Sequence, residues 1–282
     1  MRIVCLLLAL ALPAAAHAAV ANVIAESDRS LQGARPVEVI LAQPEIEVTT
    51  NVGRVASSAN GGGLLGALII SSMDDKRKVL EQTAHNKAEA TVGPLRTALR
   101  GFDVDALARA TTRTALAKPG WFQPSFEGVP ATANAPQSAT VIYRYETSPD
   151  FTQIRVLADV RLNKPGTPSG TSQSALIYRQ TISSIVVLRE PSFEPSENIE
   201  KWSAEDGKLA KAALTRAFAR IEQLIPFALD LKDADVKAIT AKGRPKVFGG
   251  GFYGPAVERA GAAAGETLLW KDGLVSVTQA AN

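Results

Sequence analysis

The residues of this chain that could do chemistry begin with a glycine fingerprint near its end. Residues 249–254 read Gly-Gly-Gly-Phe-Tyr-Gly and fit G-x-G-x-x-G, in which backbone N–H groups meet a pyrophosphate at a helix N-terminus. A short strand over 246–248 and a helix from Pro255 to Ala264 would flank it, and Asp272 lies near the expected acidic position. A doubly wound sheet would need more chain after the motif. We therefore predict a tightly turned glycine loop and no bound cofactor.

A histidine and short acidic clusters are the other candidates for chemistry. His85 lies off the apolar stripe of a predicted helix, so we expect it to face solvent. Ser-His-Asp catalysis would need this histidine, but the sequence contains no G-x-S-x-G motif to supply the serine. In a metal site, carboxylates would have to supply nearly all the ligands. The acidic clusters are Asp74 with Asp75, Asp103 with Asp105, and Asp230 with Asp233 and Asp235. We predict no catalytic residue and no metal site, with a glycosidase-like pair of distant carboxylates left open.

The first 18 residues indicate export. Arg2 precedes an apolar run from Ile3 to Leu12, and Ala16 and Ala18 occupy the positions that a signal peptidase reads. We predict a cleavable signal peptide over 1–18, cut near Ala18, and a periplasmic protein. Cys5 lies inside the apolar run, so it is not a lipobox cysteine.

Cleavage would leave a chain with His85 as its one histidine and with no cysteine, so its stability must come from a core. The full sequence carries 31 Lys and Arg against 28 Asp and Glu. These charges are mixed along the chain without a basic block, which excludes a nucleic-acid surface.

A segment without charge, residues 55–73, is the strongest candidate contact in the sequence. Its apolar run is far shorter than the ~20 residues of a spanning helix. A loop that leads into a buried helix is the favoured interpretation, and a helix contact or a membrane contact are the alternatives. The candidate interaction residues are Gly62, Leu64, Leu65, Gly66, Leu68 and Ile69, together with Trp121 and Phe122 from a proline-rich loop.

Periodicity predicts an α+β fold, an antiparallel β-meander packed by amphipathic helices. Three alternating strands over 139–189, the third bulged near Ser183 and Ser184, would pack under a helix over 203–229. Ser203 and Asp206 would form its capping box, and Asp272-Gly273 would turn a final hairpin. Gly93-Pro94 should break or kink the earlier helical stretch, and Asp103 can cap another helix through Ala117. The predicted divisions are a flexible lead-in at 19–36, a strand plus helical region at 37–117, a proline-rich loop at 118–137, and the meander, helix and hairpin at 138–282. Residues 37–282 would form one domain.

Two parts of the chain resemble uncharacterised exported proteins and lipoproteins of Gram-negative bacteria. They are the run Gly61-Gly62-Gly63-Leu64-Leu65-Gly66-Ala67-Leu68-Ile69, and the block from Ile182 to Ile225 that contains Trp202 and precedes the Asp-Gly hairpin. The resemblance implies an envelope location and no activity, and this chain lacks the lipobox of the lipoprotein members.

These observations predict a non-enzymatic periplasmic binding or assembly-accessory module that acts on an envelope protein partner. One alternative is a carboxylate-based hydrolase of envelope glycans, with two facing carboxylates beside Trp121 or Phe122. The other is a structural protein that associates peripherally with the membrane through residues 64–73.

Overall fold

A mixed sheet of eight strands forms the centre of the protein, and its helices pack on one face. The computed structural model describes residues 22–49, 74–126, 135–164, 176–241, 246–248, 252–258, 266–271 and 273–280. The strands are β1 (Arg35–Leu41), β2 (Glu47–Val48), β3 (Pro124–Ser125), β4 (Ser138–Thr147), β5 (Gln153–Asn163), β6 (Leu176–Val187), β7 (Lys246–Phe248), β8 (Phe252–Gly254), β9 (Thr267–Trp270) and β10 (Gly273–Gln279). The helices are α1 (Glu26–Arg29), α2 (Asp74–Thr91), α3 (Gly93–Ala98), α4 (Val104–Leu116), α5 (Pro195–Asp230) and α6 (Asp233–Ala241).

The strand order is β3-β1-β4-β5-β6-β10-β9, with β2 also paired to β4, so the fold is α+β. β4, β5 and β6 pair antiparallel in sequence order, but β1 and β2 pair parallel with β4, and β10 pairs parallel with β6. The predicted antiparallel meander is therefore not confirmed as a description of the sheet. Parallel neighbours need long crossover connections, which here contain helices α2 to α4 and helix α5.

Alternation along β4 to β6 separates the two faces of the sheet. The face under the helices carries Val141, Tyr143, Val156 and Tyr178, all at most 1% exposed. The predicted apolar stripe of α5 is confirmed as buried against it: Ala210, Leu214, Ala217, Phe218, Ile221, Leu224, Ile225 and Ala228. Because this face excludes water, its polar groups pair locally, as Tyr143 OH does with Thr112 Oγ1 of α4 at 2.9 Å.

Helix α5 is interrupted near its first third, and the predicted capping box is wrong. Ser203 Oγ donates back to the carbonyl of Ile199 at 2.6 Å, and the carboxylate of Asp206 pairs with Lys211. Glu205, Asp206 and Gly207 all have positive φ, so the chain makes a left-handed turn before the helix resumes. Side chains other than glycine are strained in this region.

Other local predictions have mixed outcomes. The β9–β10 hairpin is confirmed, as are the break of the helix at Gly93-Pro94 and the N-cap at Asp103, whose Oδ1 accepts from Ala106 N at 2.8 Å. The predicted bulge at Ser183 and Ser184 is wrong, because the β5–β6 register is continuous there.

Candidate functional site

A polar cleft of about 440 Å³ opens beside the end of β4, where β2, α2 and α3 meet. We call it the His85 cleft. Its polar lining comes from Glu47 and Thr49 in and after β2, His85 and Glu89 of α2, Arg96 of α3 and Glu146 of β4. Each of these four elements is held by its own buried residues, which include Val48, Ala88, Leu95 and Tyr145. The cleft walls therefore belong to the core of the fold.

Strand register places two carboxylates side by side in this cleft. Glu47 of β2 is directly opposite Glu146 of β4, and Glu146 is directly opposite Arg155 of β5. Like charges opposite each other across strands destabilise a sheet, so this row needs a cation. Arg155 supplies it through an ion pair with Glu146. Burial lowers the pKa of Arg155 to about 10.

A second arginine closes the other wall of the cleft. Arg96 Nη1 lies 2.9 Å from Glu89 Oε2, and Arg96 Nε donates to the carbonyl of Ile46 at 3.1 Å. Glu89 and Glu146 are thus each paired with a guanidinium. Glu47 is exposed, and the described residues give it no ion pair. Glu47 is therefore the carboxylate that is open to a ligand.

His85 does not face solvent freely, which corrects the prediction from helical periodicity. Its ring is half-buried in the cleft, one turn before Glu89 on the same face of α2. Its Nδ1 is buried and has no hydrogen-bond partner within the part of the chain that the structure describes. The face of α2 that carries His85 is turned toward β2 at the helix break of Gly93-Pro94. The periodicity of a single helix does not reveal this contact with another element.

The chemistry of the cleft is that of a site for a cation. An imidazole nitrogen without a partner can accept a hydrogen bond from an ammonium or guanidinium group, and a nearby carboxylate favours that charge. A glycosidase needs a carboxyl that is free to donate a proton, whereas Glu89 and Glu146 each form an ion pair with an arginine. Within the described ranges, no group of three or more metal-ligating side chains is placed to hold an ion.

The aromatics of the proline-rich loop contact arginines and the core. Phe122 is 3% exposed and packs in the main core. Trp121 is half-buried, with the guanidinium carbons of Arg29 and Arg35 at 5.5 and 5.4 Å from its ring, and its Nε1 donates to Asp230 at 3.0 Å. No carboxylate pair of the His85 cleft lies beside either aromatic, since the cleft is lined by other residues.

The glycine fingerprint is not followed by the predicted helix. Pro255 to Glu258 are not helical, and Ala256 forms a bridge with Leu269 of β9. A Cβ on Gly254 would lie 2.4 Å from the carbonyl oxygen of Trp270. Close packing of two backbones therefore explains this glycine, and the helix N-terminus that would bind a pyrophosphate is absent at Pro255. Residues 249–251 lie outside the described part.

The densest acidic cluster has structural partners. Asp230 lies 3.6 Å from Arg29, and Asp235 Oδ2 accepts from the backbone of Lys232 at 2.9 Å, at the start of α6. Asp233 and Asp235 belong to the first turn of that helix, where the helix dipole stabilises carboxylates.

The candidate contact in the uncharged segment, Gly62, Leu64, Leu65, Gly66, Leu68 and Ile69, lies outside the described residues.

Sequence reasoning missed Glu47, Glu89, Arg96 and Glu146. One local signal was present, because His85 and Glu89 are spaced i, i+4 on a helix. The pairing of Glu47 with Glu146 joins residues from distant parts of the chain and has no local signal.

Comparison of the chain with protein-family models, with curated proteins and with solved structures finds no match. In the described residues, every helix is too short or too polar to cross a membrane.

Proposed function

We propose that the protein is an exported, non-enzymatic binding module of the cell envelope, whose His85 cleft receives a cationic side chain of a partner protein. The observation that carries the proposal is the unpartnered, buried Nδ1 of His85 in a cleft that also presents the exposed carboxylate of Glu47. A lysine or arginine side chain can donate a hydrogen bond to His85 Nδ1 and form an ion pair with the Glu47 carboxylate.

The hydrolase alternative has less support. A retaining or inverting glycosidase needs one carboxyl that donates a proton. Glu89 and Glu146 are committed to Arg96 and Arg155, and Glu47 is an exposed carboxylate beside Glu146. The cleft therefore favours binding a charge over moving a proton.

The cleft can be tested with one spectroscopic reporter. After removal of residues 1–18, His85 is the only histidine, so its ring gives a single set of nitrogen and proton resonances. We expect the peptide Gly-Lys-Gly to shift these resonances and Gly-Glu-Gly to leave them in place. The variant Glu47→Gln should weaken the response several-fold, whereas Glu38→Gln, an exposed glutamate of β1 outside the cleft, should not. Equal responses to both peptides, or to neither, would refute the cation site.

The proposed location has an independent test. Fractionation of native cells, with a carbonate wash of the membranes, should leave the protein in the soluble periplasmic fraction. A protein that pellets and resists the wash would contradict this and favour the membrane-associated alternative. Such an outcome would leave the peptide titration unaffected, so the two parts of the proposal can fail separately.

The uncharged segment 55–73 stays our proposed second contact with the partner, on the strength of its sequence alone. Deletion of residues 61–66 should abolish co-purification of a cross-linked envelope protein while the circular dichroism of the fold is unchanged. Unchanged co-purification would remove the segment from the interface.

A further inference from the structure

Phe193 is presented to water by a rigid loop. It is 97% exposed, whereas Leu31, the other large apolar side chain with high exposure among the described residues, is 37% exposed. An aromatic side chain in this position contributes almost nothing to the core. It does provide a large apolar surface that loses little conformational freedom when another molecule covers it.

The loop that carries Phe193 is held by Asn198, which is fully buried. Asn198 Oδ1 accepts from Ser192 N at 2.8 Å, and its Nδ2 donates to the carbonyls of Ser192 and Asp150, each at 2.9 Å. Pro191 and Pro195 flank the loop and fix its backbone further. Two of these hydrogen bonds hold Ser192, the residue next to the exposed phenylalanine, and the third ties the loop to Asp150.

A groove of about 640 Å³ lies beside this loop, between the ends of β6 and β10 and the two halves of α5. Its apolar lining includes Leu188, Leu209, Ala212 and Ala280. The left-handed turn of α5 forms one wall through Ala204 and Glu205. Strained backbone of this kind is concentrated where proteins bind other molecules.

The charges around the two features are complementary. Four exposed acids lie close to Phe193 in sequence: Glu190, Glu194, Glu197 and Glu200. The groove is bordered by the cations Arg189, Lys201 and Lys208, with Glu190 and Glu205 also at its rim. Lys208 pairs with Glu205 at 2.8 Å, and Lys201 donates to the carbonyl of Glu190 at 2.6 Å. An apolar side chain with four acids close to it in sequence thus adjoins an apolar groove whose rim carries three basic and two acidic side chains.

We propose that this end of the molecule is a self-association surface, in which Phe193 of each copy inserts into the groove of a second copy. Phe193 and the groove lie side by side on one surface. Two copies related by a two-fold axis can therefore each insert Phe193 into the groove of the other. The acids near Phe193 then meet the basic rim of the opposite groove, which favours this pairing. The inference is independent of the His85 cleft, because the groove and the cleft share no residue.

Sedimentation velocity of the purified protein over a range of concentrations tests the proposal. The unmodified protein should form dimers. Phe193→Ser should raise the dissociation constant of the dimer by about 30-fold or more, as expected for a central aromatic anchor. Leu31→Ser is the matched control at the other exposed apolar residue and should leave the constant unchanged. Because Phe193 is almost fully exposed, its variant should retain the circular dichroism of the fold.

Two further variants test the geometry. Lys208→Glu should weaken the dimer, and Glu194→Lys in the same chain should restore it. The chain without residues 1–18 has no cysteine, so a mixture of its Phe193→Cys and Leu209→Cys variants should form a mixed disulfide on oxidation, since the proposed contact brings these positions together. A protein that stays monomeric at all concentrations, or a dimer that Phe193→Ser leaves intact, would overturn the proposal.

Discussion

Gly207 of α5 packs directly on Ala98 at the end of α3. A Cβ on Gly207 would lie 3.0 Å from the Cβ of Ala98 and 3.1 Å from its carbonyl oxygen. Gly207 also has a φ of +71°, a conformation that glycine adopts without cost. The left-handed turn of α5 therefore lets this helix approach α3, whose Arg96 lines the His85 cleft.

Gly207→Ala should destabilise the protein by about 2–4 kcal/mol, because backbone strain and a steric clash add together. Gly101→Ala is the matched control, since Gly101 has a φ of +80° and no atom within 4 Å of an added Cβ. Its cost should be about 1 kcal/mol, from strain alone. Chemical denaturation measures both free energies of unfolding. Equal losses in the two variants would show that Ala98 does not crowd position 207.

Arg35 should be one of the largest single contributors to stability. Its side chain is fully buried, and its guanidinium donates to the carbonyls of Leu31 and Trp121 and to Gln137 Oε1, at 2.8, 3.1 and 3.0 Å. Arg35→Met would leave these acceptors buried without a donor. We expect a loss of about 3 kcal/mol or more in the free energy of unfolding.

Arg109→Met is the control for this loss. Arg109 is 61% exposed and forms its ion pair with Asp105 on the same helix, so its removal should leave the free energy of unfolding almost unchanged. Urea denaturation of both variants gives the comparison. A similar small change in both would mean that water replaces the Arg35 contacts.

The sequence was a good guide wherever a pattern is local. Alternation along residues 141–162 and the 3.6-residue period of 210–228 depend on one face of one element, and both predicted burial correctly. The cap at Asp103 and the turn before Gly273 are also local, because a side chain or a backbone preference decides each within a few residues.

Predictions failed where distant residues decide the structure. Three of the described helices lie between β1 and β4 along the chain, so no local period indicates that these two strands pair in parallel. Arg35 was part of a segment predicted as a lead-in, and only the carbonyls gathered from other loops explain its burial.

Ser203 and Asp206 fit a capping spacing, but the contact of Gly207 with Ala98 favours a different turn. The cleft was missed for the same reason, because Glu47, His85 and Glu146 meet only through the sheet register and the break after α2.

Gly254→Ala distinguishes the two explanations of the glycine fingerprint. If the glycine is needed for the approach of Trp270, the variant should lower stability by about 2 kcal/mol or more, since an added Cβ would overlap a backbone oxygen. Gly120→Ala, where nothing lies within 4 Å, should be close to neutral. Thermal unfolding measures both. A stable Gly254→Ala protein would leave the glycine without a packing role.

Alkaline pH should unfold the protein through three buried tyrosines. Burial raises the pKa of Tyr145 to about 12, and burial also raises the pKa of Tyr143 and Tyr178 well above the usual value of 10.0. A group whose pKa is higher in the folded state contributes stability that is complete below the unfolded pKa and is lost as pH rises. Stability should therefore fall as pH rises from about 10 toward 12.

Arg155 acts in the opposite direction over the same range. Its folded pKa of about 10 is below the ordinary 12.5, so the unfolded chain binds the proton more tightly and stability gains with pH. Burial also lowers the pKa of Arg35, which acts in the same direction as Arg155. Three tyrosines against these two arginines leave a net loss of stability. Tyr143→Phe removes one tyrosine and its bond to Thr112, so it should cost about 1 kcal/mol at neutral pH but flatten the decline above pH 10. Urea denaturation at a series of pH values measures both slopes. A free energy of unfolding that stays constant from neutral pH to pH 12 would contradict the burial of these hydroxyl groups.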